Sequence, residues 1–300
     1  PVLTQAQHFS QYGKLETISY RPENSPLDFN YDVTYYIPEK LRGKENLKTL
    51  IFLHGGGAST MSRSASLGVT LSYARDLQSL ADKLGFVLIA PSGSGFNWNG
   101  HMLNFLRQLN KTLKSELPVN PDKIGLSGHS MGGMGITRSA HWLADDYSFF
   151  LGLASGMEER KQTKWSLRPY LNMVYHHLQG KYDHFQSFLT RNRTLKSNLD
   201  KLSLEYGKDH GFTLEFYEGS HNYNKKLVRK RLEELFQIKR NLYQKELYGT
   251  FYNRDEIVNN QWTYGKDMYR APEDTYFWLK AKEFDSYRKI IQVDGKIKNN

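Results

Sequence analysis

Apolar positions along this chain switch between two periods, and the switches mark out its elements. Residues 14–20 and 30–38 read as strands. Tyr31, Val33, Tyr35 and Ile37 alternate with polar or smaller neighbours, as in half-buried antiparallel strands. Residues 21–27, with two prolines, read as the turn between them. Residues 49–53 instead form a continuous apolar run, the pattern of a strand covered on both faces, and they end in His54-Gly55-Gly56-Gly57. Leu71, Ala74, Leu77, Leu80, Ala81 and Leu84 recur at helical spacing and predict a helix over 67–84, closed by Gly85. Residues 86–90 are the next buried strand. Met102, Phe105, Leu106, Leu109, Leu113 and Leu117 then mark a second amphipathic helix, ended by the prolines at 118 and 121.

The rest continues the alternation. Strands at 123–126, 149–154, 171–178 and 213–217 are separated by helices at 132–142 and 185–206, and a basic helix spans 224–247. Strands alternating with helices predict an α/β fold, a mostly parallel sheet with helices on both faces and right-handed crossovers. From Tyr248 the chain turns polar and aromatic-rich. Residues 275–288 read as a strand or strand pair, and Val293-Asp294-Gly295-Lys296 carries the signal of a two-residue hairpin. The expected organisation is a domain at 1–247 and a C-terminal β-rich extension at 248–300. The extension either packs on the sheet edge or contributes to substrate binding.

Composition narrows the class. Of 300 residues, 39% are hydrophobic, enough for a sizeable core, and no apolar run approaches the roughly 18 residues of a membrane span. The net charge of +10 is spread along the chain rather than gathered in one arm, which favours a solvated surface over an anionic partner. Without cysteine there is no disulfide, thiolate metal site or cysteine nucleophile. The histidines are too scattered for a zinc pattern, and no phosphate-binding loop or nucleic-acid module is visible. No cofactor or metal is expected. The chain starts at Pro1 and shows no charged-then-apolar leader, so either a leader has been removed or the chain was trimmed; a secreted or periplasmic location is expected.

One stretch names a reaction. Gly128-His129-Ser130-Met131-Gly132 fits G-x-S-x-G, in which a serine sits on a tight strand-to-helix turn. The flanking glycines are expected where backbone meets backbone and no Cβ fits. A buried strand precedes the motif and a helix follows it. Together with the His54 loop and the order of elements over about 15–247, this resembles the α/β-hydrolase superfamily. In detail it is most similar to the secreted polyhydroxybutyrate-depolymerase and feruloyl-esterase group, which shares the glycine-rich oxyanion loop and a Trp-Asn loop after the fourth strand.

That resemblance implies a Ser-Asp-His triad, each member in a loop at the carboxyl end of a strand. Ser130 is the nucleophile. His221, in Glu218-Gly219-Ser220-His221 after the last strand, is the base; His210 precedes that strand, and His176 and His177 lie within one. Asp183, in Gly180-Lys181-Tyr182-Asp183, matches the family's Gly-x-x-Asp, with Asp200 and Asp209 as alternatives. The family carries His before that glycine, and this chain has Gln179. The amide of Met131 and that of Gly56 or Gly57 are the expected oxyanion donors. His54 is expected to hold the loop, and Trp98, Asn97, Asn99 and His129 are placed on the substrate side. Fewer than twenty residues separate the strands ending near 154 and starting near 171, too few for a large cap. The implied activity is hydrolysis of carboxylic esters at an open site: polyester, feruloyl, acetyl or short acyl esters. A peptidase or acyltransferase with the same triad, and a binding protein on the same fold, are the other readings.

Overall fold

The alternating strands form one edge of the sheet. The computed structural model describes residues 8–22, 30–56, 61–93, 98, 101–156, 167–240, 246–251, 275–276, 279–280 and 291–296. β1 (Leu15–Tyr20) and β2 (Tyr31–Tyr36) pair antiparallel, with Leu15 opposite Tyr36 and Tyr20 opposite Tyr31. β2 then pairs antiparallel with β4 (Phe86–Pro91). Beyond it, β3 (Leu47–Leu53), β5 (Val119–His129), β6 (Phe149–Leu153), β7 (Tyr175–Gly180) and β8 (Phe212–Tyr217) continue in parallel. The order across this eight-stranded sheet is β1-β2-β4-β3-β5-β6-β7-β8. The expected mostly parallel sheet, covered on both faces, is the one observed.

Successive side chains of a strand point to opposite faces, so each buried strand feeds two cores. On β3, Ile51 and Leu53 face the core built with α2 (His101–Glu116), α3 (Met131–Trp142) and α4 (Gln186–Tyr206). Leu50 and Phe52 face the other, built with α1 (Arg63–Leu84) and α5 (Lys225–Leu235). The predicted α2 stripe is buried, Phe105, Leu109 and Leu113 included. Of the α1 stripe Ala74, Leu77 and Ala81 are buried, while Leu71, Leu80 and Leu84 are half-buried at its edge. Each large apolar side chain so buried contributes about 1.5–3 kcal/mol.

Several boundaries differ from the sequence reading. α1 starts at Arg63, ahead of residue 67, because the Ser62 hydroxyl accepts the Ala65 N–H at 3.2 Å and caps an earlier first turn. Leu171 belongs to a 3-10 helix (Arg168–Leu171), with Pro169 in its first turn where proline is favoured, and β7 starts only at Tyr175. The basic helix ends at Leu235, and Leu247 lies in β9 (Glu246–Phe251). The Asp-Gly hairpin is not formed. Asp294 and Gly295 lie inside β12 (Ile291–Lys296), opposite Tyr248 and Leu247 of β9, so long-range pairing overrides the local turn signal. β10 (Thr275–Tyr276) and β11 (Leu279–Lys280) pair antiparallel within the stretch read at 275–288, the rest of which lies outside the described residues. Among the described residues, no helix is long and apolar enough to cross a membrane.

Candidate active site

β3, β5, β6, β7 and β8 all end on one side of the sheet, where open α/β sheets place their ligands. β5 ends in the elbow. Ser130 has φ 53° and ψ −116°, a strained backbone costing on the order of 1–3 kcal/mol. It is held there by its N–H donating to the Leu153 carbonyl at 2.9 Å and its carbonyl accepting from Met134 N–H at 3.0 Å. The two glycines are sterically required. A Cβ on Gly128 would lie 2.6 Å from the Gly132 backbone, and one on Gly132 would lie 2.0 Å from the Leu53 carbonyl oxygen. The first turn of α3 therefore rests directly on the end of β3, against the Leu53 and His54 carbonyls.

Ser130, His221 and Asp183, 91 and 38 residues apart in sequence, form one hydrogen-bonded chain. Ser130 Oγ lies 2.8 Å from His221 Nε2, and His221 Nδ1 lies 2.9 Å from Asp183 Oδ2. A carboxylate only accepts, so Nδ1 carries the proton and Nε2 is free to take one from the serine. Asp183 is wholly buried. Burial opposes its ionisation, but hydrogen bonds from His221, the Phe185 N–H and Gln179 outweigh that cost and hold its pKa below the ordinary carboxylate value.

Gln179, the departure from the family pattern, has a role here. Its amide Nε2 donates to Asp183 Oδ2 at 2.8 Å, and its Oε1 accepts from Asn192 Nδ2 at 3.0 Å. Asn192 Nδ2 also reaches the Ser155 carbonyl and His177 Nε2, at 2.8 and 3.0 Å. His177 is thus buried second-layer support, with its pKa pushed down to about 4 by burial. His210 binds Asp200 at 2.9 Å at the amino end of β8, away from the triad.

Two residues expected on the substrate side are placed elsewhere. Trp98 is wholly buried, and its Nε1–H donates to the His54 carbonyl at 3.1 Å while its Cβ packs on Gly135, so it offers no face to a substrate. His129 is nearly buried, and both its ring nitrogens are engaged. Nε2 lies 2.7 Å from the His221 carbonyl and Nδ1 lies 2.6 Å from the Tyr73 hydroxyl. Gly57, Asn97 and Asn99 lie outside the described residues.

His54 holds its loop as expected. Gly93 N–H donates to Nε2 at 2.9 Å, leaving Nδ1–H to reach the Gly55 carbonyl at 2.7 Å. Gly56 follows with φ 113°, a conformation that favours glycine. Tyr73, His184 and Phe185, which lie around His129 and His221, were not singled out from the sequence. Only the last two carried a local signal, as the His-Phe directly after Asp183 at the start of a polar helix.

No protein-family model matches the chain, and a comparison with curated protein sequences gives no match. Solved structures do match. A poly(aspartic acid) hydrolase from Sphingomonas sp. KT-1 is 15% identical with a TM-score of 0.58, over 76% of this chain and 100% of that one. The poly(3-hydroxybutyrate) depolymerase LpqC from Bordetella parapertussis is 14% identical with a TM-score of 0.56, over 73% and 94% of the two chains. A ferulic acid esterase is 14% identical with a TM-score of 0.55, over 75% and 98%. At these identities the likeness establishes the fold, and this chain has the α/β-hydrolase fold.

Proposed function

We propose that the protein is a serine hydrolase that cleaves carboxylic esters through an acyl-enzyme. The observation that carries this reading is the unbroken chain from Ser130 Oγ through His221 to the buried Asp183. Ser130 Oγ attacks the ester carbonyl as its proton passes to His221 Nε2. The amides of Met131 and Gly56 receive the oxyanion. The C–O bond to the alcohol then breaks, and His221 returns the proton to the departing oxygen. Water repeats the sequence on the acyl-enzyme and frees the acid.

Between Leu153, the end of β6, and Tyr175, the start of β7, the segment is somewhat longer than the sequence suggested. It is still short for a large helical cap, which supports an open site able to admit polymeric or bulky esters. The folds of the depolymerase and the ferulic acid esterase are in keeping with such substrates. The test is hydrolysis of p-nitrophenyl esters of increasing acyl length by wild type and Ser130→Ala. Turnover that falls by about three orders of magnitude or more in the variant supports the reading. Equal activity in both proteins rejects Ser130 as the nucleophile.

A further inference from the structure

Large apolar side chains seldom stay exposed, so where they do is informative. Among the described residues three do: Leu204, Tyr182 and Phe185. Two of the three flank Asp183. Tyr182 is 68% exposed and Phe185 43%, and His184 between them has a side chain 65% exposed. The acid loop therefore presents three rings to solvent beside the triad.

The Phe185 ring is fixed in place. It stacks on Phe188 at 5.0 Å and 25° between planes, and Phe188 in turn fills the space over Gly156, where a Cβ would come within 2.4 Å of that ring. Its backbone N–H donates to Asp183 Oδ1 at 2.9 Å. Phe185 meets the His221 ring edge-on at 4.8 Å and 68°, and His184 meets it at 5.1 Å and 69°. The buried His129 is another neighbour of the His221 ring, at 5.1 Å. Among the described residues, the exposed side chains shown against the His221 ring are thus aromatic. Lys181 and Glu218 of the flanking loops, also among the described residues, pair with each other.

The chemistry assigns this wall to one half of the substrate. Resting on the ester reading above, acylation forms the bond from Ser130 Oγ to the acyl carbon and breaks the bond to the alcohol oxygen. The serine proton travels through His221 Nε2 to that oxygen. The departing oxygen must come within hydrogen-bond reach of Nε2, so the group attached to it lies beside the His221 ring, where Phe185 and His184 stand. We propose that Phe185, with His184, forms a leaving-group subsite for the ring of an aryl-bearing alcohol. A neutral ring edge-on or offset to Phe185 gains from aromatic contact that a linear alkyl group does not supply.

The test compares acetate esters of benzyl alcohol, cyclohexylmethanol and n-butanol in wild type, Phe185→Leu and Phe185→Ala. All three esters give the same acetyl-enzyme, so only acylation separates them. The benzyl-to-butyl ratio of kcat/KM is expected to fall roughly three- to tenfold in Phe185→Leu, which keeps apolar bulk but loses the ring. Labelling by a fluorophosphonate at Ser130 checks that each variant retains its triad. Equal losses on all three esters would overturn the subsite. So would a larger loss on the cyclohexylmethyl ester than on the benzyl ester. Wild type that neither hydrolyses these esters nor labels at Ser130 defeats the ester reading itself, whereas labelling without an aryl preference defeats the subsite alone.

Discussion

His129 Nε2 lies 2.7 Å from the backbone carbonyl of His221, tying the residue before the nucleophile to the base. A carbonyl only accepts, so the proton of neutral His129 sits on Nε2, and Nδ1 accepts from the Tyr73 hydroxyl at 2.6 Å. Tyr73 in turn packs on the glycine loop, where a Cβ on Gly55 would lie 2.8 Å from its hydroxyl. One directed chain therefore runs from Tyr73, which packs on the Gly55 loop, through His129 to the backbone of His221. Tyr73 and His129 thereby link the glycine loop to the backbone of His221.

This chain predicts how His129 variants divide. His129→Leu removes both bonds and is expected to lower kcat about ten- to hundredfold with a smaller change in KM, because misplacement of the base is felt in the transition state. His129→Gln keeps one donor and one acceptor and is expected to recover most of that loss. Steady-state kinetics of the two variants check this, and equal losses in both would reduce His129 to a packing role.

Gln179 predicts a second division. Gln179→Leu removes a donor from Asp183 Oδ2 and leaves a buried carboxylate oxygen less satisfied, a cost of about 1–3 kcal/mol. Gln179→His restores a ring N–H at the position where the resembling family carries histidine. The leucine variant is expected to lose both activity and denaturant resistance while the histidine variant retains them, measured by kcat and by urea midpoint.

Acid sensitivity follows from buried histidines. Burial pushes His129 and His177 from the ordinary 6.5 down to about 4. Between those values the unfolded chain binds the protons and the folded protein does not, so stability falls as pH drops from about 6.5 to about 4. The gap corresponds to roughly 3 kcal/mol for each histidine. Asp183 acts further down, since its lowered pKa gives stability that is lost as pH falls below the ordinary carboxylate value of 3.8. Urea midpoints at pH 7 and pH 5 are expected to differ clearly in wild type and much less in a His129→Gln, His177→Gln double variant. Parallel slopes would show that these histidines do not control acid stability.

The sheet and its helices were legible because their signals are periodic and local. Residues 49–53 and the stripe from Leu71 to Leu84 repeat a pattern that burial alone explains. The elbow was legible for another reason, because close backbone approach leaves glycine no substitute at 128 and 132. The roles of Trp98 and His129 were not legible. A loop tryptophan and an elbow histidine have the same sequence appearance whether they face substrate or hold a backbone. Only the His54 and His221 carbonyls, distant in sequence, decide between these. Asp294-Gly295 failed similarly, its turn signal outweighed by pairing with a strand more than forty residues away.

The most direct test of the account is to trap the acyl-enzyme. Wild type mixed with p-nitrophenyl acetate and quenched in acid within the first turnover should carry one acetyl group on the peptide containing Ser130, seen by mass spectrometry. Ser130→Ala should carry none. An acetyl group on another residue, or turnover in wild type with Ser130 never acetylated, would contradict the assignment of Ser130, His221 and Asp183 as the reacting chain.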